Sequence, residues 1–135
     1  SMVGYKNARY RAFGWAAARS DDVIHWLPAR LALPIIMLAA GLLGLHPLAA
    51  WRTAWRDHAR LPSPNSGWSE AAFAGALHVR LLGPVWYAGH LVNAAYLGEP
   101  RWPADLTAKH LRQGLYLTGL SGLLALGLGC LSLWL

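Results

Sequence analysis

Charged and apolar positions along this chain are segregated rather than mixed, and the segregation predicts its elements. Gln113 to Leu135 carries no charge over 23 residues. At 1.5 Å per residue that run is about 34 Å long, enough to cross a hydrocarbon core of about 30 Å with some tilt. Asp105 to Gln113, with Lys109 and Arg112, reads as a polar helical lead-in to it. Within the span Ser121, Ala125 and Gly129 recur every four residues, a face on which a second helix packs closely. A second apolar stretch, residues 23–46, is interrupted by His25, Pro28, Arg30 and Pro34, and its uncharged part from Leu31 to Leu45 reaches only about 22 Å. It reads as a short helix or hairpin, either a tilted span or a broken, re-entrant segment that Gly41 and Gly44 would suit.

Residues 48–60 place Leu48, Trp51, Trp55 and His58 or Ala59 at helical spacing, with Arg52, Arg56 and Arg60 on a separate stripe. This pattern predicts an amphipathic helix in a membrane interface, its arginines anchoring to lipid. Residues 1–22 alternate Tyr5, Tyr10, Phe13 and Trp15 with Lys6, Arg9, Arg11 and Arg19. That block is either an interfacial segment or a site for phosphate and carboxylate. Ser20-Asp21-Asp22 reads as a helix N-terminus. An adjacent acidic pair does not face one way on a helix, which favours capping over a Mg²⁺ site. Beyond Pro84, residues Gly89, Gly98, Pro100 and Pro103 mark turns or broken helix. His90 and Asn93 are the polar groups there, without metal-ligand spacing to His78 or His110.

The stretch from Leu61 to Pro84 combines loop chemistry with a close-packing helix. Pro62 and Pro64 exclude a regular element, Asn65, Ser66 and Gly67 are turn and cap residues, and Gly83-Pro84 is the expected stop. On a helical wheel Trp68, Ala71, Ala72, Gly75, Val79 and Leu82 share one side, whose small residues admit another helix backbone. Glu70 falls on the opposite side with Ala74, Leu77 and Leu81. Two readings of it stay open: a carboxylate needing a partner, a metal or a proton, or a charge complementing the helix N-terminus in water.

Composition agrees with a bilayer setting. The chain is 56% hydrophobic and only 13% charged, with 8 Trp, too apolar for an ordinary soluble domain of this size. The formal charge of +6 fits topogenic residues, anionic lipid or anionic substrates. No nucleic-acid motif is present, and nucleic acid is not expected as a partner. Cys130 lies in an apolar run and reads as a packing residue. The polar, basic first 22 residues are unlike a cleavable signal peptide. No P-loop, dinucleotide fingerprint, HExxH or nucleophile elbow occurs, and no metal site is expected. The fold class is therefore all-α: a single integral membrane helical domain over residues 1–135, with interfacial amphipathic helices and broken or re-entrant helices.

Two long blocks, SMVGYKNARYRAFGWAAARSDDVIHWLPARL at the start and PSPNSGWSEAAFAGALHVRLLGP in the middle, resemble in that order the adenosylcobinamide-phosphate synthase family of cobalamin biosynthesis (CobD/CbiB). The resemblance covers most of residues 1–98 and corresponds to the C-terminal part of the family's chain, so the family's N-terminal membrane segments are expected to be missing. It implies a multi-pass protein of the cell membrane, with the blocks at 1–20 and 61–84 both facing the cytoplasm. It further implies amide formation between adenosylcobyric acid and (R)-1-amino-2-propanol or its O-phosphate, with ATP and Mg²⁺ expected for carboxylate activation. Matched to the family's motif positions, Lys6, Arg9, Arg11 and Arg80 would bind phosphate or the substrate carboxylate. Asn65 and Ser66 would donate hydrogen bonds from the loop, and Glu70 would serve as general base or magnesium ligand. Two positions depart from the family pattern: Leu82, where a second glycine is expected before Gly83, and His78, where a small residue is usual. The family's N-terminal half or a second copy of the chain is the expected protein partner, beside lipid. The competing expectation is a non-catalytic membrane relative retaining a corrinoid- or lipid-binding surface.

Overall fold

The structure, a computed structural model, describes residues 11–61, 63–87 and 89–134. Its elements in chain order are α1 (Arg11–Ile24), α2 (Trp26–Leu42), α3 (Pro47–Asp57) with a 3-10 turn at His58–Arg60, α4 (Ser66–Leu77), β1 (Leu81–Leu82), β2 (Val85–Tyr87), β3 (His90–Asn93), β4 (Tyr96–Leu97) and α5 (Ala108–Trp134). Helices dominate, but the all-α expectation misses the strands. Residues 81–97 form one long hairpin, with β1 pairing β4 at its base and β2 pairing β3 at its tip, both antiparallel.

The centre is the contact between α3 and α4, and small side chains make it. Ala50 and Ala54 of α3 and Ala71, Ala72 and Gly75 of α4 are all buried. A Cβ added at Gly75 would run into the Ala49 carbonyl and lie 2.7 Å from the Ala50 Cα, and one at Gly67 would strike the His58 backbone. The helix backbone for which α4's small face makes room is thus α3's. Leu33, Ile36, Ala39 and Ala40 of α2 and Leu117 of α5 close the same core.

Several boundaries differ from those expected. α4 ends at Leu77, not at Gly83-Pro84, because His78 adopts the left-handed conformation (φ 52°) and its N–H satisfies the carbonyls at the helix end. Val79 and Leu82 therefore leave the helix face. Leu82 also has φ 65° and Gly83 φ 114°, so the position where a glycine was expected does carry a glycine-like backbone, at a cost for leucine. α5 begins at Ala108 and runs unbroken through the polar lead-in. Residues 23–46 contain no hairpin: α2 passes through Pro34 without ending, and the break comes before it, at His25, where α1 and α2 meet at 41°. Pro28 removes the N–H that the Ile24 carbonyl would use, which accounts for the bend.

Outward faces carry most of the large apolar side chains. On α3 the buried positions are Ala50, Thr53, Ala54 and Asp57, while Leu48, Trp51 and Trp55 face out. On α5 the packing residues are Leu117, Leu120 and Leu124. Ser121 and Ala125 only border a groove against α2, and a Cβ at Gly129 would meet nothing, so the expected small-residue stripe is not the packed face. α5 is the one helix among the described residues long and apolar enough to cross a membrane by itself.

Candidate functional site

The loop between the 3-10 turn and α4 is braced against the α1–α2 bend, and Asn65 makes the brace. Its Nδ2 donates to the Asp22 carbonyl at 2.8 Å, and its Oδ1 accepts from Arg30 Nη1 at 3.5 Å. Asn65 is buried at 7% exposure yet does not cap α4 with its side chain. Ser63 does so weakly, its Oγ lying 3.4 Å and 3.5 Å from the N–H groups of Asn65 and Ser66. Arg30 is fixed in turn. Its Nη1 donates to the Trp26 carbonyl at 2.8 Å, and its guanidinium sits 4.1 Å from the Trp26 ring centroid and 5.3 Å from that of Trp68.

Two clefts flank this brace. One, of about 390 Å³, is lined by Asp21, His25, Ser63, Asn65, Ser66 and Ser69 along with Pro28 and Ala29. The other, of about 580 Å³, lies between Trp15, Arg19 and Asp22 of α1 and Ala59, Leu61 and Pro64. Asp21 and Asp22 thus border different clefts, as neighbours on a helix should. Asp21 lies 3.2 Å from His25 Nδ1. The first cleft offers three hydroxyls, an amide, a carboxylate and an imidazole, a set able to hold a small polar molecule and exchange a proton with it. Among the described residues no group of three or more His, Cys, Asp or Glu side chains is placed to hold a metal ion.

The expected site residues divide. Asn65 and Ser66 lie together at the cleft wall. Glu70, one residue past Ser69 and so about 100° further round the helix, is not among the cleft's lining residues. It is partly buried with no hydrogen bond or ion pair among the described residues, and burial raises its carboxyl above the ordinary range. That environment favours the reading of a carboxylate lacking its partner over one solvated at a helix end. Arg80 is elsewhere: α4 puts about 17 Å between Ser66 and Leu77. Its Nε donates to the Trp102 carbonyl at 2.9 Å, its backbone N–H to Pro103 at 2.8 Å, and its guanidinium lies 4.8 Å from the Tyr96 ring centroid. Arg80 secures the chain after β4, and the expected gathering of Arg80 with Asn65 does not occur. Lys6 and Arg9 lie outside the described residues. Arg11 is described only as the first residue of α1.

Asp57 was not anticipated. Fully buried, it takes two 2.7 Å hydrogen bonds from Arg56, an ion pair with Arg60 at 3.2 Å and the Gly98 N–H at 2.9 Å. Burial pushes its carboxyl up, but the Arg56 and Gly98 hydrogen bonds and the two guanidinium charges outweigh it and hold the group low. Arg56 and Arg60 are therefore both tied to Asp57, a partner not expected of them, while each side chain stays more than two-fifths exposed. The available signal was a lone acid in an arginine-rich helix. Replacing Asp57 with alanine strands the Gly98 N–H and should cost about 3 kcal/mol, read as a lower melting temperature in detergent. Because the carboxyl is depressed in the fold, its stabilisation is present above the unfolded carboxylate value and is lost as pH falls through the folded one, so wild type and variant should converge in acid.

His46, His78 and Trp102 form a second unforeseen group, stacked with centroids 3.6 Å and 4.7 Å apart. Burial, with His46 alongside, lowers the His78 value. The larger ring at position 78 is accommodated by this stack.

Comparison with known proteins bears on the same residues. The family model for CobD/Cbib protein matches residues 1–118. Cobalamin biosynthesis protein CobD of Geobacter metallireducens is 53% identical over 108 residues, 80% of this chain and 34% of that protein. The CobD of Yersinia enterocolitica is 42% identical over 126 residues, 93% of this chain and 39% of the relative. Cobalamin biosynthesis protein CbiB of Salmonella typhimurium is 42% identical over 128 residues, covering 95% and 40% respectively. The chain thus spans between a third and two-fifths of the length of these relatives. No solved structure matches it. With the family's model matched from residue 1 through the Asn65 loop and into α5, the chain belongs to the CobD/Cbib protein family.

Proposed function

We propose that this chain provides the part of an adenosylcobinamide-phosphate synthase in which an amine is held for acylation, so that adenosylcobyric acid is joined to (R)-1-amino-2-propanol or its O-phosphate. The observation that carries the reading is the brace of Asn65 to Asp22 beside the polar cleft, because it brings the two family-like blocks to one place. In this reading Ser63, Ser66 and Ser69 hydrogen-bond the amino alcohol, Asp21 and His25 orient its ammonium and receive its proton, and Arg30 offers charge to a phosphate or carboxylate. The amine's lone pair then attacks the activated carboxyl carbon, and the leaving group departs with its bonding pair.

ATP would supply that activation, with Mg²⁺ arriving on its phosphates. Among the described residues no group of three or more His, Cys, Asp or Glu side chains is gathered to hold Mg²⁺ apart from the nucleotide. The rest of the enzyme, including nucleotide-binding residues, would come from a second segment of the family's chain or another copy. Membrane preparations holding this chain together with the remaining two thirds of a CobD relative should convert adenosylcobyric acid, ATP and aminopropanol phosphate to adenosylcobinamide phosphate. Absence of product from that pairing, alongside a competent intact relative, favours a non-catalytic binding protein.

We further propose a multi-pass arrangement in the cell membrane, with α5 crossing, the bent α1–α2 pair entering with it, and the Asn65 loop on the cytoplasmic face. Contact between Asp22 and Asn65 supports a shared side for the two blocks, and the load of arginines on both supports the cytoplasmic one. In a Cys130→Ser background, cysteine at Ser20 or at Ser66 should resist an impermeant maleimide in intact cells and react once the membrane is opened. Labelling of either site from outside defeats the arrangement.

A further inference from the structure

Between Arg80 and Glu99 the chain carries no Asp, Glu, Lys or Arg, and all of β1 to β4 lies in that interval. The base of the hairpin belongs to the fold. Leu97 is fully buried, Leu81 packs on the core, and the Tyr96 ring covers Gly83 so closely that a Cβ there would come within 2.7 Å of it. The tip does not. Trp86 is 66% exposed and Leu91 49%, and the register sets them directly opposite each other, so they share one face of the ladder. Leu82, Pro84 and Ala94 are exposed as well. A water-facing edge of this kind is normally blunted with charge or covered, and among the described residues neither device is present.

Arginines outnumber carboxylates at the base instead, Arg60 pairing with Asp57 and Arg101 with Glu99 while Arg80 has no acidic partner among the described residues. Arg60 Nη1 donates to the Tyr96 carbonyl at 2.8 Å, Arg80 lies over the Tyr96 ring, and Arg101 sits beside Glu99. Passing from that collar to the tip takes about six residues, or roughly 20 Å of extended strand, so the arm must lie aslant along the surface to keep both within an interface about 5–7 Å deep on each side. A cationic collar, then a Trp-bearing uncharged tip, is the depth profile of a bilayer surface: phosphates first, then the headgroup–acyl boundary that indole rings occupy. The open edges of a two-stranded ladder still need water for their N–H and C=O groups, which limits how deep it goes.

We propose that the 81–97 hairpin is a membrane-dipping arm, with its Trp86–Leu91 face at the headgroup–acyl boundary and its arginine collar at the phosphates. It rests on the reading of α5 as a membrane span. The arm would fix the height of Arg80 and the chain entering α5 relative to the lipid surface.

The whole chain, in a Cys130→Ser background, is reconstituted in vesicles of phosphatidylcholine and phosphatidylglycerol with one nitroxide at a time. Trp86→Cys and Leu91→Cys report the arm, Glu99→Cys the collar and Leu123→Cys the middle of α5. Both arm positions should show an oxygen-to-nickel-complex collision ratio severalfold above position 99 and below position 123. A ratio at 86 and 91 equal to that at 99 places the arm in water and overturns the proposal. Low collision with both reagents also overturns it, by showing the arm folded on protein as a cover. A water-like ratio at 123 removes the span itself, and is distinguishable because the arm can fail while 123 still reports lipid.

Discussion

Asn65→Ala is expected to remove adenosylcobinamide phosphate formation from the assembled enzyme while leaving the chain in the membrane at near-normal amount. Two of the amide's bonds disappear in that variant, one at 2.8 Å to the Asp22 carbonyl and a longer one from Arg30. Their net worth to stability is on the order of 1 kcal/mol each, too little to unfold the chain. Their geometric effect is larger, because the cleft walls belong to different segments and Asn65 sets their spacing. A misplaced donor at a reacting centre costs about 100-fold or more in turnover. The loss should fall on kcat more than on the KM for aminopropanol, since the serine hydroxyls remain. A parallel fall in protein level and activity would reduce Asn65 to a structural brace.

Glu70→Gln makes the companion test, because loss of a general base slows turnover whereas loss of a carboxylate disfavoured by burial favours the fold. Were Glu70, rather than Asp21 and His25, the general base, glutamine would remove about 100-fold or more of the rate. For stability the sign is different. Its carboxyl is raised by burial, so ionisation is disfavoured in the fold, and the cost is absent below the unfolded carboxylate value and complete once pH exceeds the folded one. Glutamine never incurs it. Melting measured from pH 4 to pH 8 should therefore show the variant equal to wild type in acid and slightly more stable at the alkaline end. Near-normal turnover in Glu70→Gln would withdraw the catalytic role.

The largest effect on folding is expected from Gly75→Leu, with Ala72→Leu next. An alanine in place of glycine inside a helix ordinarily gains about 1 kcal/mol, yet a Cβ at Gly75 already overlaps the α3 backbone at Ala49 and Ala50. Backbone cannot swing aside as a flexible side chain can, so α3 and α4 must separate and the buried Ala50–Ala54 surface opens. Overpacking of this kind costs about 1–3 kcal/mol or more. Gly119→Ala is the control, since a Cβ there meets nothing within 4 Å. Detergent melts should place Gly75→Leu well below wild type and Gly119→Ala level with it or above. Equal tolerance at the two positions would mean that α3 and α4 are not in backbone contact.

Residue pattern alone determined the apolar run that became α5, the helix after Asn65 with one face of small residues, and the amphipathic run 48–60, which folds as α3 and the 3-10 turn after it. Each rests on local physics: hydropathy over a length, spacing at 3.6 residues and turn residues at a boundary. The two family-like blocks were legible in the same way, as linear strings. Tertiary structure decided which surfaces those elements spend on one another. It turned α3 so that Ala50 and Ala54 face in and the tryptophans face out, because glycine and alanine on α4 allow backbone approach that indole does not. It ended α4 at His78, where stacking on His46 and Trp102 compensates a left-handed residue that no local rule favours. It took Arg56 and Arg60 for Asp57 and Arg80 for the chain after β4, leaving Arg30 beside Asn65. An arginine's partner depends on which carboxylates and carbonyls the fold brings within about 3 Å: Arg56 and Arg60 reach Asp57 within one turn, but Arg80 and Arg30 find theirs 22 and 35 residues away, which periodicity does not encode.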